Sequence, residues 1–164
     1  MIYFIELLRA DHKLEDFDCG DLAKNNYLKK FALQNTKGGL GRTYVATGEG
    51  DPLRVRGYYT VSSSSVTFDP PPKHLPRYPL PTVLIGKLAT DKETQNKGLG
   101  SMLLFDALER SARVAEEIGI FLVEIQAINQ RAREIYEKRG FTPMVDDPLK
   151  MYMNLKTVRK LLAS

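Results

Sequence analysis

Gln95-Asn96-Lys97-Gly98-Leu99-Gly100 is the stretch on which the reading of this chain turns. An apolar run, Val83 to Ala89, precedes it, and a long amphipathic segment, Leu99 to Ile118, follows. The order is strand, glycine-bearing turn, helix. Such a turn directs several backbone N–H groups to one point at a helix N-terminus, where a phosphate or pyrophosphate binds well. Two nucleotide motifs are excluded directly. A P-loop needs Gly-Lys followed by Ser or Thr, and this loop has no such run. The dinucleotide fingerprint needs a third glycine three residues after Gly100, where Leu103 stands. What is left is Gln-x-x-Gly-x-Gly. A phosphate cradle and a helix entered through a flexible turn both fit those six residues.

The rest of the chain narrows the class. Its 164 residues are the length of one domain, and a single domain over 1–164 is expected. Hydrophobic residues at 43% support a core, and 27% charged residues belong to a globular rather than a disordered composition. With one cysteine, Cys19, no intrachain disulfide can form. No metal is expected, and a reducing, cytoplasmic setting is the simplest reading. No stretch approaches a membrane span, and Met1 to Leu8, with Glu6 in its apolar run and no basic flank, reads as a first strand rather than a signal peptide. The net charge of +4 is spread over both halves. A local excess appears only near the end, at Lys150, Lys156, Arg159 and Lys160, which a solvated helix end accounts for.

Working outward from the turn, periodicity predicts a strand at Ile2–Leu8 and a polar turn in which Asp18 or Asp21 caps a helix from Leu22 to Asn35. In that helix Ala23, Tyr27, Leu28, Phe31 and Ala32 recur at helical spacing, with Lys24, Lys29 and Lys30 facing elsewhere. An antiparallel pair follows, Arg42–Thr47 and Arg54–Phe68, joined by a turn at Gly48–Pro52. Asp69-Pro70-Pro71-Pro72 stops the second strand, and six of the nine prolines fall in residues 70–81, one semi-rigid loop. Then come a strand at Thr82–Thr90 and the helix Leu99–Ile118, with Leu104, Leu108, Ser111, Ala115 and Ile118 inward and Asp106, Glu109, Arg110, Arg113 and Glu116 outward. A strand at Ile120–Ile128, a helix at Gln130–Arg139 capped by Asn129, short strands at Phe141–Met144 and Lys150–Leu155, and a helical turn at Lys156–Leu162 complete the chain. The order is α/β with a mixed sheet.

A second motif lies some thirty residues beyond the first: Asn129, Ala132, Ile135-Tyr136 and Gly140-Phe141. Together the two resemble the signature of GNAT acetyltransferases, with Ile135 in place of the more usual Phe. The resemblance implies a mixed sheet of about six to seven strands flanked by helices, with a splayed strand pair at an acetyl-CoA site. It extends to Phe17-Asp18-Cys19-Gly20, Asn26-Tyr27-Leu28, Ala32-Leu33-Gln34-Asn35, Arg42-Thr43-Tyr44-Val45, Gly57-Tyr58-Tyr59, Pro79-Leu80-Pro81 and Ile85-Gly86-Lys87-Leu88-Ala89. These are similar to one subgroup, the GNAT toxins of bacterial toxin–antitoxin pairs. Members acetylate the α-amino group of aminoacyl-tRNA and are restrained by an antitoxin with a ribbon-helix-helix part. A homodimer is usual among them.

The resemblance implies the following roles. Gln95, Asn96, Lys97, Gly98, Leu99, Gly100 and Ser101 bind the coenzyme A pyrophosphate, largely through the main chain. Leu88, Ala89 and Thr90 pair with the pantetheine arm through backbone groups. Tyr136 donates a proton to the leaving sulfur. Asn129 contacts the cofactor arm or only caps its helix. Of the cations Lys29, Lys30, Lys37, Arg42, Lys73, Arg77 and Lys87, Arg42 and Lys87 belong to matched motifs and are the tRNA-binding candidates. Lys87 stands where relatives commonly carry Arg, a point charge in place of a planar fork. His12 and His74 read as surface residues, and no side chain stands out as a general base. An acetyltransferase of a small amine or protein amino group, and a non-catalytic acyl-CoA-binding module, fit the same loop.

Overall fold

The computed structural model describes residues 1–164 apart from Asp69, Pro72 and His74. Among these the strands are β1 (Tyr3–Leu7), β2 (Arg42–Gly48), β3 (Asp51–Val66), β4 (Leu80–Thr90), β5 (Leu122–Gln126), β6 (Thr142–Pro143) and β7 (Lys150–Asn154). The helices are α1 (Leu22–Lys30), α2 (Ala32–Lys37), α3 (Leu99–Glu117), α4 (Gln130–Lys138) and α5 (Leu155–Ala163), with a 3-10 turn at Lys92–Thr94. The strands form one mixed seven-stranded sheet in the order β1-β2-β3-β4-β5-β7-β6. The chain divides into two compact units, Met1–Ser62 with Lys87–Ala107, and Ser63–Gly86 with Leu108–Ser164.

In the first unit β1, β2 and β3 form an antiparallel meander, with Ile5 opposite Ala46 and Tyr44 opposite Tyr59. Tyr44 and Tyr59 stack with ring centroids 5.4 Å apart, a cross-strand aromatic pair of the kind that fixes register. The core is Leu8, Phe17, Leu28, Ala32, Val45, Val55, Tyr58 and Ala89. Gly57 is needed by close approach. A Cβ there would lie 2.9 Å from Leu103 Cδ1 and 3.1 Å from the Ala89 carbonyl. Removing one side chain from β3 lets β4 and α3 pack onto it.

Four expectations are corrected here. The helix predicted over Leu22–Asn35 is two, because Phe31 takes φ −123°, ψ −28° and leaves the helical region. His12 is buried, not superficial: its Nδ1 accepts from the Arg9 N–H at 2.8 Å, and its Nε2 lies 2.7 Å from Glu6 Oε1. Two polar partners make burial of the ring tolerable. Asp106 does not face water alone, since it accepts the hydroxyl hydrogen of the buried Tyr59. Ile118 lies outside α3 and is exposed, because the helix ends at Glu117. Reading His74 as a surface residue concerns a position outside the described residues, as do Asp69 and Pro72 of the strand-ending run.

In the second unit β4 and β5 are parallel, paired from Thr82–Leu122 to Ile85–Ile125. The ladder stops there while β4 runs on to Thr90. β5 itself ends at Gln126, so residues 86–90 of β4 have no β5 partner in the ladder. Glu124 sits in an apolar strand because the buried Thr82 hydroxyl donates to its carboxylate at 2.6 Å. β7 pairs antiparallel with both β5 and β6. α5 is a full helix of nine residues rather than one turn, with the Asn154 Oδ1 accepting from Thr157 N–H at 2.8 Å as its cap. Lys156, Arg159 and Lys160 are exposed on α5, while Lys150, expected with them at a helix end, is exposed at the start of β7.

Candidate active site

The loop before α3 is shaped by its backbone. Asn96 has φ +64° and Gly98 φ +86°, two left-handed residues in one tight turn. That alternation turns successive N–H groups to one side. Nothing lies within 4 Å of where a Gly98 Cβ would stand, and at Gly100 only Thr90 Cγ2, at 4.0 Å. The glycines thus leave bare backbone and open space at the N-terminus of a 19-residue helix. This geometry fits a diphosphate. Lys97 is exposed and Ser101 half-buried. Leu99 is buried in the core, so only its main chain is free to meet a ligand.

Gln95 has a structural task. Its Nε2 donates to the Cys19 and Thr90 carbonyls, each at 3.1 Å. Close by, the buried Asp91 accepts from the N–H groups of Asp18 (3.2 Å) and Glu93 (3.0 Å), and Lys92 N–H donates to the Asp18 carbonyl at 2.8 Å. The turn after β1 is thereby tied to the turn that opens α3. The Cys19 thiol donates to the Asp21 carbonyl, and burial pushes its pKa up, which makes it a poor nucleophile. Asp21, rather than Asp18, caps α1, accepting from Ala23 and Lys24 N–H.

The end of β4 carries Leu88, Ala89 and Thr90. Ala89 is buried; Leu88 and Thr90 are half-buried. Lys24, on α1, donates from Nζ to the Leu88 carbonyl at 3.3 Å, and the buried Tyr58 hydroxyl donates to the Lys24 carbonyl at 2.8 Å. Lys87 Nζ stands over the Tyr27 ring, 4.2 Å from its centroid, and Tyr27 stacks on Tyr58. Arg42 is exposed, with its guanidinium donating to the Thr36 carbonyl at 2.8 Å beside Lys37 at the end of α2. Lys29 and Lys30 are exposed in the last turn of α1. The first unit therefore gathers Lys24, Lys29, Lys30, Lys37, Arg42 and Lys87 on or beside its two helices. Lys73 and Arg77 belong to the second unit and are exposed. Lys24, expected to face away from the apolar stripe of its helix, is instead half-buried. The signal was present: it lies one helical turn before the buried Leu28, and i, i+4 residues share a face.

In the second unit, α4 carries the other motif. Asn129 Oδ1 accepts from Ala132 N–H at 2.9 Å and is the helix cap. Tyr136 is half-buried, edge-on to Phe141 with centroids 5.9 Å apart. Burial raises its pKa, so it stays protonated at neutral pH as a donor. Its hydroxyl makes no hydrogen bond among the described residues.

The first unit thus carries a left-handed glycine turn at a helix N-terminus, and the second carries, further along the chain, a helix with a tyrosine hydroxyl free of hydrogen bonds among the described residues; the order along the chain is that of an acyl-coenzyme-A transferase of the GNAT class. The family model of the acetyltransferase (GNAT) domain matches residues 39–143, and the chain belongs to that family. Its relatives are more specific. A tRNA-acetylating toxin of Mycobacterium tuberculosis is 34% identical over 149 residues, covering 89% of this chain and 88% of the relative. The solved structure of AtaT complexed with acetyl-methionyl-tRNAfMet superposes with a TM-score of 0.89 at 27% identity, over 98% of this chain and 99% of that one. A tyrosine-to-phenylalanine variant of AtaT, bound to acetyl-CoA and the C-terminus of the antitoxin AtaR, gives 0.86 at 26% identity over the whole of both chains.

Proposed function

We propose that the protein is a toxin that transfers acetyl from acetyl-CoA to the α-amino group of aminoacyl-tRNA and so blocks translation. The observation that carries this reading is the open Gly98–Gly100 cradle, in a chain resembling a tRNA-acetylating toxin over 89% of its length. The main chain at 95–101 holds the pyrophosphate, with Lys97 and Ser101 adding a charge and a hydroxyl. The end of β4 beyond its ladder with β5, Leu88 to Thr90, holds the pantetheine arm. When bound, the cofactor supplies an activated acetyl thioester.

Tyr136 acts on the departing sulfur. A free tyrosine titrates near ~10 and a thiol near ~8.5, so proton transfer to a finished thiolate runs uphill by roughly 2 kcal/mol. Burial raises Tyr136 further. The hydroxyl therefore donates while the C–S bond is breaking, when charge on sulfur is still developing. Asn129 serves as the cap of its helix, and cofactor contact rests on its remaining amide. Arg42 and Lys87 take phosphates of the tRNA acceptor end, with Lys87 as a point charge. The family resemblance supports a cytoplasmic homodimer restrained by a ribbon-helix-helix antitoxin, and the AtaT structure with AtaR supports an antitoxin partner. No helix among the described residues is long and apolar enough to cross a membrane.

The test is acceptor preference. Purified protein with labelled acetyl-CoA is offered bulk aminoacyl-tRNA, polyamines and peptides. Label entering aminoacyl-tRNA at least ~100-fold faster per molarity is the expected outcome. Preference for a polyamine or peptide returns the chain to the wider acetyltransferase class.

A further inference from the structure

The reaction lacks one part in the account above. An acceptor amine attacks only when neutral, and something must take its proton. His12, the histidine among the described residues, is buried against Glu6 and the Arg9 amide and is not that group. No carboxylate stands on the end of β4.

An ionisable side chain of α1 reaches it. Lys24 Nζ donates to the Leu88 carbonyl, 3.3 Å away, on the part of β4 that runs beyond its ladder with β5. Its backbone is pinned from below by the Tyr58 hydroxyl, which holds this turn of α1 against β3. No carboxylate of the described residues pairs with its ammonium. A half-buried lysine bonded to a carbonyl, without a counter-ion, is a structural anomaly, because burial of an unpaired cation is costly. Its neighbours are few. Cys19 and Asp21 face it from the turn before α1, Lys87 from β4, and the hydroxyl-bearing rings of Tyr27 and Tyr58 lie close on α1 and β3.

We propose that Lys24 is the proton acceptor of the reaction: its neutral amine takes the proton from the acceptor ammonium poised beside the Leu88 carbonyl. This rests on the acetyltransferase reading of the β4 edge given above. The balance is simple. The acceptor nitrogen loses two protons in becoming an amide. The first passes to Lys24 Nζ and leaves to solvent between turnovers. The nitrogen lone pair then forms the C–N bond to the thioester carbonyl carbon. The second proton leaves nitrogen as the C–S bond breaks and restores the Tyr136 hydroxyl, whose own proton goes to the sulfur that departs with the bonding pair. No oxidant or metal is needed. The electrostatics run the same way. Burial holds the lysine below its ordinary value, the Asp21 carboxylate pulls it back up, and the positive charge of Lys87 pushes it down.

The experiment is a pH series on the full-length protein with acetyl-CoA and bulk aminoacyl-tRNA, using wild type, Lys24→Met and Lys24→Arg. Methionine keeps the stem and removes the base. Arginine keeps stem and charge and does not release its proton. Both are expected to lose kcat/KM by roughly twentyfold at pH 6.5, where only about one α-amine in twenty is neutral. The deficit should shrink to about threefold at pH 8.5, where the α-amine is already largely neutral. Acetyl-CoA affinity and melting temperature are measured alongside, and Lys24→Arg carries the test if Lys24→Met loosens α1. Wild-type rates in Lys24→Arg would mean that a fixed cation suffices and would overturn the proposal. A deficit equal at every pH would also overturn it, since a merely structural lysine is not rescued by an already neutral acceptor. If wild type itself fails on aminoacyl-tRNA but acetylates another amine, the acceptor assignment falls, and the same series on that amine decides Lys24 separately.

Discussion

The turn at Gln95–Gly100 and the helix α4 present two ways of building a site. In the turn the groups proposed to bind the cofactor are main-chain amides, and the side chains are either absent, as at Gly98 and Gly100, or committed to the framework, as at Leu99 and Gln95. In α4 the proposed group is one hydroxyl at the end of the Tyr136 side chain, carried by the helix backbone. The difference teaches where each can be attacked. A site made of amides yields only to substitutions that alter φ or fill its space. A site made of one side chain yields to the loss of a single atom.

The largest effect should come from that single atom. Tyr136→Phe is expected to lower kcat by 10²- to 10³-fold, order-of-magnitude losses typical of removing a proton donor, while the acetyl-CoA dissociation constant stays within about twofold. Isothermal titration beside steady-state kinetics separates the two, and equal loss of both would place Tyr136 in the framework instead. Next is the turn itself. Gly98→Ala forces an L residue to φ +86°, at a cost of roughly 1–2 kcal/mol. Acetyl-CoA affinity should fall about tenfold with kcat nearly unchanged for whatever still binds. A large fall in kcat at saturating cofactor would break the contrast, because the amides would then serve the chemistry and not only binding.

Two smaller effects sharpen it. Gly57→Ala places a methyl 3.1 Å from the Ala89 carbonyl, where backbone has to move, and 2.9 Å from the flexible end of Leu103. The expected loss is about 1–3 kcal/mol of stability, read as a fall in melting temperature of a few degrees for each kcal/mol. The end of β4 shifts with it, so the Michaelis constant for acetyl-CoA should also rise. Asn129→Ala removes a cap and should cost about 1 kcal/mol while leaving the acetyl-CoA Michaelis constant in place. A marked rise in that constant would give Asn129 a second task at the cofactor.

How much of this was legible in the sequence depends on the range of the interaction that carries it. The turn was legible because its requirement is local: a left-handed residue wants glycine whatever surrounds it. The strand–turn–helix order around it and the capping role open to Asn129 were legible for the same reason. His12 and Lys24 were misread because their surroundings come from other segments. Glu6 and the Arg9 amide make burial of the imidazole tolerable, and the Leu88 carbonyl, 64 residues away, receives the ammonium. Asp106 was assigned to water because helical periodicity does not know that a tyrosine hydroxyl on β3 needs an acceptor. The break at Phe31 escaped for a related reason, since both halves carry good helical spacing and the interruption is set by packing.

By itself, then, the sequence determined the class of the protein and the donor half of its chemistry. Glycine geometry, helix capping and apolar periodicity are properties of short segments, and they survive without knowledge of neighbours. Only the tertiary structure decided which side chains are spent on the framework, where the β4–β5 ladder ends, and that a lysine of α1 meets the Leu88 carbonyl beyond that ladder. Those depend on long-range proximity, and burial and pairing are defined only once distant segments have met.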